Sequence, residues 1–201
     1  MKVQLIAVVG GSGSGKSWLA RQLQRRLGAR AGTVSLDAFY RDRSALSPRE
    51  RQRVNFDHPS AIDWPLVAEK LAAIKQGEDV RLPRYDFVTH TRSARSRQWR
   101  PKPVVLVEGL WLLHRPQLRR LFSLSIYLDC SAAVRRERRI ARDQRERGRT
   151  RASIVRQFRQ QVAPMHDRFV APQSRRADRV FTMAVTELEI AGLLAKFQEV
   201  K

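Results

Sequence analysis

The 201-residue sequence predicts one α/β domain, spanning residues 1–201, in which helices flank a five-stranded parallel sheet. Three observations support this fold class. Short apolar runs alternate along the chain with longer amphipathic stretches, the length suits one well-buried core, and neither an internal repeat nor a low-complexity linker divides the sequence. Strands that alternate with helices in this way favour a parallel sheet that is covered on both faces.

The predicted strands are five short apolar runs. In chain order they cover residues 3–9, 32–36, 104–107, 124–128 and 179–182. The predicted helices are six stretches in which apolar residues recur at helical spacing. They cover residues 16–28, 63–76, 115–121, 131–147, 150–165 and 186–198.

Residues 78–102 interrupt this alternation of strands and helices. They contain two short extended runs rich in arginine, tyrosine and tryptophan, which predict a β-hairpin inserted into the α/β core. Insertions of this kind frequently carry function, because they lie outside the packed scaffold.

The segment GGSGSGKS lies between the first predicted strand and the first predicted helix, and it matches the pattern GxxxxGK[ST]. Glycines let the backbone wrap around an anion, and the amide groups and helix N-terminus then point at phosphates. The lysine adds a mobile positive charge, and the serine hydroxyl can ligate Mg²⁺. An ordinary glycine turn is the alternative, which the strand-to-helix context disfavours. The predicted nucleotide-binding residues are Gly10, Gly11, Ser12, Gly13, Ser14, Gly15, Lys16 and Ser17.

Two carboxylates directly follow predicted strands, Asp37 in SLDAFYRD and Glu108 in VVLVEGLWLL. Ligands of open α/β sheets bind at the carboxyl edge, so both side chains are expected to face the bound phosphates. Glu108 suits a Mg²⁺ contact beside Ser17, and Asp37 suits a base that accepts a proton from an attacking hydroxyl. Asp37 is also a candidate Mg²⁺ ligand. Taken singly, each carboxylate has the alternative role of a capping acid at a strand end.

The sequence is strongly basic, with 40 basic against 19 acidic residues and a formal net charge of +21. Such an excess suggests a polyanionic partner. However, 33 of the basic residues are arginine and seven are lysine, as a compositional bias would produce, and they are spread along the chain without interleaved aromatic residues. A solvated basic surface is therefore favoured over a nucleic-acid interface.

The sequence also predicts a cytoplasmic protein without membrane association. No apolar run approaches the roughly 20 residues of a membrane-spanning helix, and the N-terminal residues lack the pattern of a signal peptide. The single cysteine, Cys130, agrees with a reducing compartment.

Six further blocks accompany the glycine-rich segment: LDAFYRD, NFDHPSAID, PRYDFVTHTR, VVLVEGLWLL, RRIARDQRERGRT and MHDRFVAPQSRRAD. In this order, the seven blocks resemble those of the uridine kinases, also called uridine and cytidine kinases. They span residues 5 to about 180, and NFDHP, YDFxxHxR and RDxxERGR are more specific than the glycine-rich segment. Phosphoribulokinases and pantothenate kinases share the general architecture but not this set of blocks.

The resemblance implies transfer of the γ-phosphate of ATP or GTP to the 5′-hydroxyl of uridine or cytidine, which gives UMP or CMP in pyrimidine salvage. It implies Mg²⁺ as a cofactor and the P-loop kinase fold, with strand order 2-3-1-4-5. A hairpin at about 78–102 would grip the nucleoside, and an arginine-rich lid at about 139–158 would close over the phosphates. A homo-oligomer, commonly a tetramer, is also implied.

The resemblance further implies roles for individual residues. Asp37 would be the catalytic base, acting with Lys16 in the glycine-rich segment. Asp57 and Arg139 would lie at the ribose hydroxyls. The residues implied around the base are Tyr85, Phe87, His90, Arg149 and Gln157. Arg142 and Arg147 would lie over the phosphates and count as catalytic.

The chemistry of these residue types supports part of this assignment. A carboxylate at position 57 that accepts from ribose hydroxyls predicts a preference for ribonucleosides, because a missing hydroxyl would leave a buried acceptor unpaired. The alternative is an aspartate that stabilises a turn. The His90 imidazole can present a donor or an acceptor, so it tolerates both uracil and cytosine. Tyr85 and Phe87 offer stacking surfaces, although residues two apart in a strand are more often ordinary core residues.

Eleven arginines lie between residues 135 and 159, which as a bare charge run favours a solvated helix face. Gly148 interrupts the helical pattern and would permit a lid to bend. Three or four of these arginines are expected to act on the phosphates, and the others to remain in solvent or to pair with Glu137, Asp143 and Glu146.

Ser60 departs from the family pattern, which has an acidic residue at that position, and this bears on substrate range rather than on reaction type. Two other functions remain open from the sequence. One is a P-loop kinase of the same superfamily that acts on another small alcohol. The other is a nucleic-acid-binding P-loop ATPase, suggested by the net charge of +21.

Overall fold

The computed structural model describes residues 3–182 and 184–198, and the rest of the predicted 1–201 domain lies outside the described residues. The β-strands of these ranges are β1 (Gln4–Gly10), β2 (Ala31–Ser35), β3 (Val80–Leu82), β4 (Tyr85–Asp86), β5 (Thr91–Arg92), β6 (Arg97–Trp99), β7 (Val104–Gly109), β8 (Leu124–Leu128) and β9 (Arg179–Phe181). The α-helices are α1 (Lys16–Leu27), α2 (Pro48–Arg53), α3 (Trp64–Gln76), α4 (Pro116–Arg119), α5 (Ala132–Arg147), α6 (Arg151–Gln157), α7 (Ala163–Met165) and α8 (Glu187–Gln198). None of the helices in the described ranges has the length and apolar character that a membrane crossing requires.

Five strands form one parallel sheet in the order β2-β7-β1-β8-β9. In terms of the five predicted strands this order is 2-3-1-4-5, so the predicted fold class and strand order are confirmed. All six residues of β7 and six of the seven residues of β1 are buried. Such continuous burial is expected because helices cover both faces of a parallel sheet.

Successive residues of β1 enter two different hydrophobic layers. Leu5 and Val9 pack in the layer that contains α3, whereas Ile6 and Val8 pack in the layer that contains α1 and α8. This alternation follows from the two-residue period of side chains along a strand. The two layers hold the sheet rigidly, so that the carboxyl ends of the strands form a fixed edge.

The insertion between α3 and β7 is a hairpin whose pairing is divided into two short antiparallel ladders. Strand β3 pairs with β6, with Val80 opposite Trp99, and β4 pairs with β5, with Tyr85 opposite Arg92. Pro83 lies between β3 and β4, and proline cannot donate a backbone hydrogen bond to a ladder. The predicted hairpin is therefore present, but its pairing is interrupted near this proline.

The region predicted as a helix over residues 150–165 is also interrupted. Helix α6 continues into a π-helical turn at Phe158–Val162, and a second π-helical turn at His166–Val170 follows α7. Pro164 accounts for this irregularity, because proline lacks an amide hydrogen and its ring clashes with the carbonyl four residues earlier. A 3₁₀ segment, Ala171–Arg176, then leads to β9.

The sequence analysis does not predict α2, because its residues show no apolar periodicity. Its start nevertheless has a local signal. Ser47 caps the helix, Pro48 opens its first turn, and the side chain of Glu50 accepts from the backbone of Ser47 in a capping box.

Candidate active site

The glycine loop, residues Gly10–Ser17, connects β1 to α1 at the carboxyl edge of the sheet. Gly13 and Gly15 have φ values of +83° and +99°, which side chains other than glycine rarely adopt. A Cβ on Gly13 would lie 2.3 Å from the backbone oxygen of Arg135, so only glycine fits there. The side chain of Lys16 is buried and its Nζ lies 3.5 Å from the carbonyl oxygen of Gly11. The loop is therefore a preformed phosphate cradle held against the start of α5.

Glu108 lies beside this loop and accepts hydrogen bonds from two serine hydroxyls. Ser17 donates to Oε2 over 3.1 Å, and Ser35 donates to Oε1 over 2.5 Å. Ladder register explains the second contact, because Ser35 of β2 is directly opposite Glu108 of β7. Sequence reasoning identifies Ser17 and Glu108 but misses Ser35. The sequence feature that points to Ser35 is its position two residues before Asp37, at the end of a predicted strand.

The electrostatics around Glu108 suit a divalent cation. Burial raises the pKa of the Glu108 carboxyl, the nearby Asp37 charge also raises it, and Lys16 lowers it. A bound cation would favour the ionised carboxylate further. Among the described residues, no group of three or more acidic, histidine or cysteine side chains could enclose a metal. Mg²⁺ at phosphoryl-transfer sites takes only one or two protein oxygens and completes its shell with phosphate and water, so Ser17 and Glu108 fit.

Asp37 lies on the 3₁₀ turn Leu36–Phe39, immediately after β2. Its backbone nitrogen donates to the Ser35 hydroxyl over 3.3 Å, which ties the turn to the serine that contacts Glu108. The side chain is partly exposed and lines the same cavity as Lys16. The carboxylate is thus placed at the entrance to the phosphate cradle.

A cavity of about 660 Å³ opens beside the glycine loop. It brings together every acceptor-side residue that the resemblance implies, from three separate parts of the chain. The predicted residues in its lining are Ser12, Lys16, Asp37, Asp57, Tyr85, Phe87, His90, Arg139, Arg142, Arg147, Arg149 and Gln157. Glu108 and Ser17 lie outside this lining, on the loop side of the site.

Aromatic rings form one wall of the cavity. Tyr85 lies 5.1 Å from Tyr40 and 5.2 Å from Phe87, measured between ring centroids. Phe56 stacks on His90 at 4.2 Å with only 12° between the ring planes. Sequence reasoning misses Tyr40 and Phe56, although each lies inside a block that it singles out, LDAFYRD and NFDHPSAID.

His90 has an unusual backbone conformation. Its φ is 56°, and among the described residues it is the only non-glycine residue with a positive φ. Such strain clusters at ligand sites, where the surrounding structure maintains it. Burial lowers the pKa of His90, and Arg147 and Arg149 lower it further, so the imidazole is neutral at pH 7.

Four buried polar atoms on residues of the cavity lining have no hydrogen-bond partner within the part of the chain that the structure describes: Asp57 Oδ2, Tyr85 Oη, His90 Nδ1 and Arg139 Nε. Unpaired buried polar atoms are costly, and most such groups in folded proteins are satisfied. The cavity lining therefore includes side chains whose hydrogen-bonding capacity the protein leaves unused, as suits a site for a polar ligand. A carboxylate oxygen, a phenol and an imidazole nitrogen suit a ligand with hydroxyl groups and a polar ring.

Arg139 connects the acceptor side of the cavity to the glycine loop. Its Nη1 donates to Ser12 Oγ over 3.0 Å and lies 3.5 Å from Asp57 Oδ1, and its Nη2 donates to Gln157 over 3.2 Å. Arg149 donates to the same Gln157 oxygen over 2.6 Å. The two arginines therefore share one amide, and Arg139 reaches both ends of the site.

Arg92 anchors the β4–β5 ladder to the body of the protein. Its guanidinium donates to Asp63 over 3.2 Å and to the carbonyl oxygen of Tyr40 over 2.8 Å, and its backbone nitrogen donates to Asp42 over 2.9 Å. These contacts fix the strand pair that carries Tyr85. Sequence reasoning includes Arg92 in a block but assigns it no role.

A phosphate-binding glycine loop, an adjacent serine and carboxylate, and an acceptor cavity lined with arginines define a P-loop kinase. A family model described as "Phosphoribulokinase / Uridine kinase family" matches residues 5–189. The chain belongs to this family, which confirms the predicted resemblance, and it is a kinase.

Curated relatives extend this match across most of the chain. A uridine kinase of Staphylococcus carnosus is 40% identical over 175 residues, covering 87% of this chain and 84% of that protein. A uridine kinase of Clostridium perfringens is 37% identical over 197 residues, covering 97% and 95% of the two chains.

Solved structures share the fold. A protein of Silicibacter sp. TM1040 described as a "putative fructose transport system kinase" has a TM-score of 0.73 at 26% identity, with 90% of each chain covered. The phosphoribulokinase of Rhodobacter spheroides has a TM-score of 0.66 at 18% identity, with 94% of this chain and 74% of that chain covered.

Proposed function

We propose that the protein transfers the γ-phosphate of ATP or GTP to the 5′-hydroxyl of uridine or cytidine. The observation that carries the proposal is the set of unpaired atoms on Asp57, Tyr85 and His90, in an aromatic-walled cavity beside the glycine loop. A pyrimidine ribonucleoside offers ribose hydroxyls, a flat ring and ring-edge polar atoms in one molecule. The curated relatives named uridine kinase support the same acceptor.

Within this proposal, the glycine loop and Lys16 bind the triphosphate, and Asp37 accepts the proton of the 5′-hydroxyl as it attacks. Asp57 accepts from the ribose hydroxyls beside Arg139. Phe87 and Tyr85 flank the base, and its polar edge meets the neutral imidazole of His90. Arg149 and Gln157 lie at the same side of the cavity.

Arg142 and Arg147 supply positive charge over the phosphates. Both line the cavity, and the Arg147 guanidinium lies 4.8 Å from the centre of the Phe87 ring. Phosphoryl transfer spreads negative charge over the transferred oxygens, and a well-placed arginine contributes ~10³ to 10⁵ in rate. The segment 139–158 is accordingly proposed as the lid, with its bend at Gly148, where the φ of 60° ends α5.

Ser17 and Glu108 would hold Mg²⁺ in this proposal, with Asp37 close enough to raise the pKa of Glu108. When bound, Mg²⁺ neutralises charge on the β- and γ-phosphate oxygens.

An acceptor panel tests the proposal directly. The purified protein is incubated with ATP, Mg²⁺ and uridine, cytidine, adenosine or fructose, and nucleoside monophosphates and ADP are quantified. UMP or CMP is the expected product. The proposal is wrong if neither forms while another alcohol is phosphorylated, and fructose is included because the Silicibacter protein is described as a fructose transport system kinase.

The net charge of +21 favours testing a second function, a nucleic-acid-stimulated ATPase. Five arginines of the predicted run already line the small-molecule cavity, which accounts for part of the charge: Arg139, Arg142, Arg147, Arg149 and Arg156. We expect a mixed oligonucleotide to bind weakly and to leave the ATPase rate unchanged across a salt titration, because a true tracking surface would couple salt-sensitive binding to hydrolysis. Homo-oligomerisation stays a prediction, which sedimentation velocity measures.

A further inference from the structure

Asp143 is a completely buried carboxylate on α5, with 0% of its surface exposed, and four arginine side chains surround it. Arg142 donates from Nε to Oδ1 over 2.8 Å, and its Nη2 lies 2.8 Å from the same oxygen. Arg147 Nε lies 3.8 Å from Oδ1. On the other side, Oδ2 lies 3.5 Å from Arg139 Nε and 3.6 Å from Arg149 Nη1. We call these four arginines the arginine cluster.

The local sequence explains why one carboxylate reaches all four. Arg139, Asp143 and Arg147 are spaced four residues apart, so they lie on one face of α5. The helix ends at Gly148, whose left-handed conformation turns the chain back. The backbone nitrogens of Gly148 and Arg149 both donate to the carbonyl oxygen of Asp143, which brings the Arg149 side chain to its carboxylate.

The positive charges of the arginine cluster exceed the negative charge of Asp143, whereas a purely structural ion pair would be neutral. Four guanidinium groups contact Asp143, and of these Arg139 also lies 3.5 Å from a second carboxylate, that of Asp57. Among the described residues, neither Asp143 Oδ2 nor Arg139 Nε has a hydrogen bond of good geometry. Arg139 and Asp143 are both buried, and buried charges contribute to stability only when they are well paired, so their long contact of 3.5 Å is unfavourable as a packing solution. Because all four arginines also line the cavity, additional anionic groups can complete the cluster from that side.

From the sequence, Asp143, Glu137 and Glu146 are all expected to pair with arginines outside the site. The structure separates the three acids. Glu137 pairs with Arg136 and Arg151 near the surface, and Glu146 pairs with Arg145 at the surface. Asp143 alone of the three contacts the arginines of the cavity.

We propose that Asp143 is a positioning residue that holds the arginine cluster in its working geometry. This inference rests on the proposed function, since it assigns Arg142 and Arg147 to the phosphates and Arg139 and Arg149 to the nucleoside. Asp143 touches no substrate and acts only through the guanidinium groups. One buried carboxylate therefore links acceptor binding to phosphoryl transfer, whereas the glycine loop binds the donor without it.

The test compares Asp143→Asn with Glu137→Gln. Each variant removes one negative charge from α5 at nearly constant side-chain size, but Glu137 is half exposed and is not part of the cavity lining. For Asp143→Asn we expect kcat with uridine to fall ~100-fold, because small misplacements of positioned groups have effects of this size. The KM for uridine should rise about tenfold while the Kd of a non-hydrolysable ATP analogue stays within about threefold. Glu137→Gln should match the wild type in all three.

A second readout does not require turnover. In Asp143→Asn the cluster lacks its internal anion, so inorganic phosphate should raise the melting temperature of this variant more than that of the wild type or Glu137→Gln. Asp143→Glu retains the charge but displaces it, and its kcat should lie between those of the wild type and Asp143→Asn. If Asp143→Asn does not fold, Asp143→Glu tests the proposal instead. A reduced kcat with unchanged binding of the ATP analogue supports the positioning role, and an unchanged kcat contradicts it.

The possible failures are distinguishable. If the wild type phosphorylates uridine and the Asp143 variants behave like Glu137→Gln, this inference is wrong and the proposed function is unaffected. A wild type that phosphorylates neither uridine nor cytidine overturns the proposed function. In that case the phosphate-dependent melting shift alone decides the role of Asp143, and equal shifts in all three proteins count against it.

Discussion

The two ends of the cavity are built in different ways. At the phosphate end, eight consecutive residues form the glycine loop, and ladder register between β2 and β7 brings Ser35 to Glu108. At the acceptor end, the lining comes from the 54–57 segment, the β4–β5 ladder, α5 and α6. The first end is fixed by the sheet, whereas the second depends on a few long-range contacts such as those of Arg92. Substitutions at the two ends should therefore change different kinetic constants.

The largest effect is expected at the point where the two ends meet. Asp37→Asn removes the proposed base but leaves the glycine loop intact, so kcat should fall by ~10² to 10⁴. Binding of an ATP analogue, measured by calorimetry, should not change. A variant that retains most of its turnover would contradict the role assigned to Asp37.

At the phosphate end, Gly13→Ala tests whether the loop is sterically fixed. A Cβ there would lie 2.3 Å from the Arg135 oxygen at a φ of +83°, so affinity for the ATP analogue should fall ~100-fold or the protein should lose stability. Gly28→Ala is the matched control, because Gly28 also has a positive φ but a Cβ added to it would meet nothing within 4 Å. The control should cost about 1–3 kcal/mol of stability, because a φ of 58° with a ψ of −132° is a sparsely populated backbone region, and it should leave nucleotide binding unchanged. If Gly13→Ala and Gly28→Ala lose equal affinity for the ATP analogue, backbone strain at a positive φ explains the loss and the steric contact with Arg135 does not.

At the acceptor end, 2′-deoxyuridine tests the unpaired oxygen of Asp57. Without the 2′-hydroxyl this buried acceptor stays unsatisfied, which corresponds to about 1–3 kcal/mol, or roughly a 10- to 100-fold lower kcat/KM than for uridine. Asp57→Ala should reduce this discrimination to a few-fold. Competition kinetics with uridine and 2′-deoxyuridine measure the ratio of their kcat/KM values. If the wild type uses the two nucleosides equally, Asp57 does not bind the 2′-hydroxyl.

Arg92→Met tests whether the acceptor end depends on one anchor. Loss of the contacts to Asp63 and to the Tyr40 carbonyl should loosen the β4–β5 ladder, so the KM for uridine should rise about tenfold with unchanged affinity for the ATP analogue. Arg100→Met is the control on the same insertion, because Arg100 pairs with Asp79 at the surface, where both side chains are exposed. An increase in both Kd for the analogue and KM for uridine would mean that the two ends are not independent.

The smallest effect concerns pH at the base pocket. Burial lowers the pKa of His90 below 6.5, and Arg147 and Arg149 lower it further, so the KM for uridine should be constant from pH 7 to 8 and rise only well below pH 6.5. The unfolded chain binds a proton near 6.5, so the stability contributed by neutral His90 is fully present above that pH and decreases as the pH falls towards the lowered value. His90→Asn, which tolerates the positive φ, should remove the pH dependence of KM. KM and melting temperature measured across this range check both statements.

Local patterns account well for the parts of the fold that are built from continuous segments. The strands of the sheet, their order and helices such as α1 and α3 agree with the sequence analysis. The differences arise where local signals are weak. Helix α2 lacks periodicity, Pro164 interrupts a helical pattern with π-helical turns, and Pro83 divides the inserted hairpin into two ladders.

The candidate site likewise contains residues that local patterns predict and residues that they do not. The glycine loop, Glu108 and Asp37 follow from their positions after strands. Sequence reasoning misses Tyr40, Phe56 and Ser35, because a stacked ring or a register contact depends on residues distant in sequence, such as Phe56 and His90. The roles of the acceptor-side residues in the resemblance remain predictions, although the structure brings those residues to one cavity.

Local sequence patterns are sufficient to predict the parallel sheet and the phosphate cradle, because both depend on short-range rules: burial on both faces of a strand, and glycine backbone geometry before a helix. Long-range packing sets which polar atoms at the acceptor end lack partners and which arginines share Asp143. The contact between Asp57 and Arg139 joins residues 82 positions apart, so it exists only after the core has packed and has brought α5 against the glycine loop.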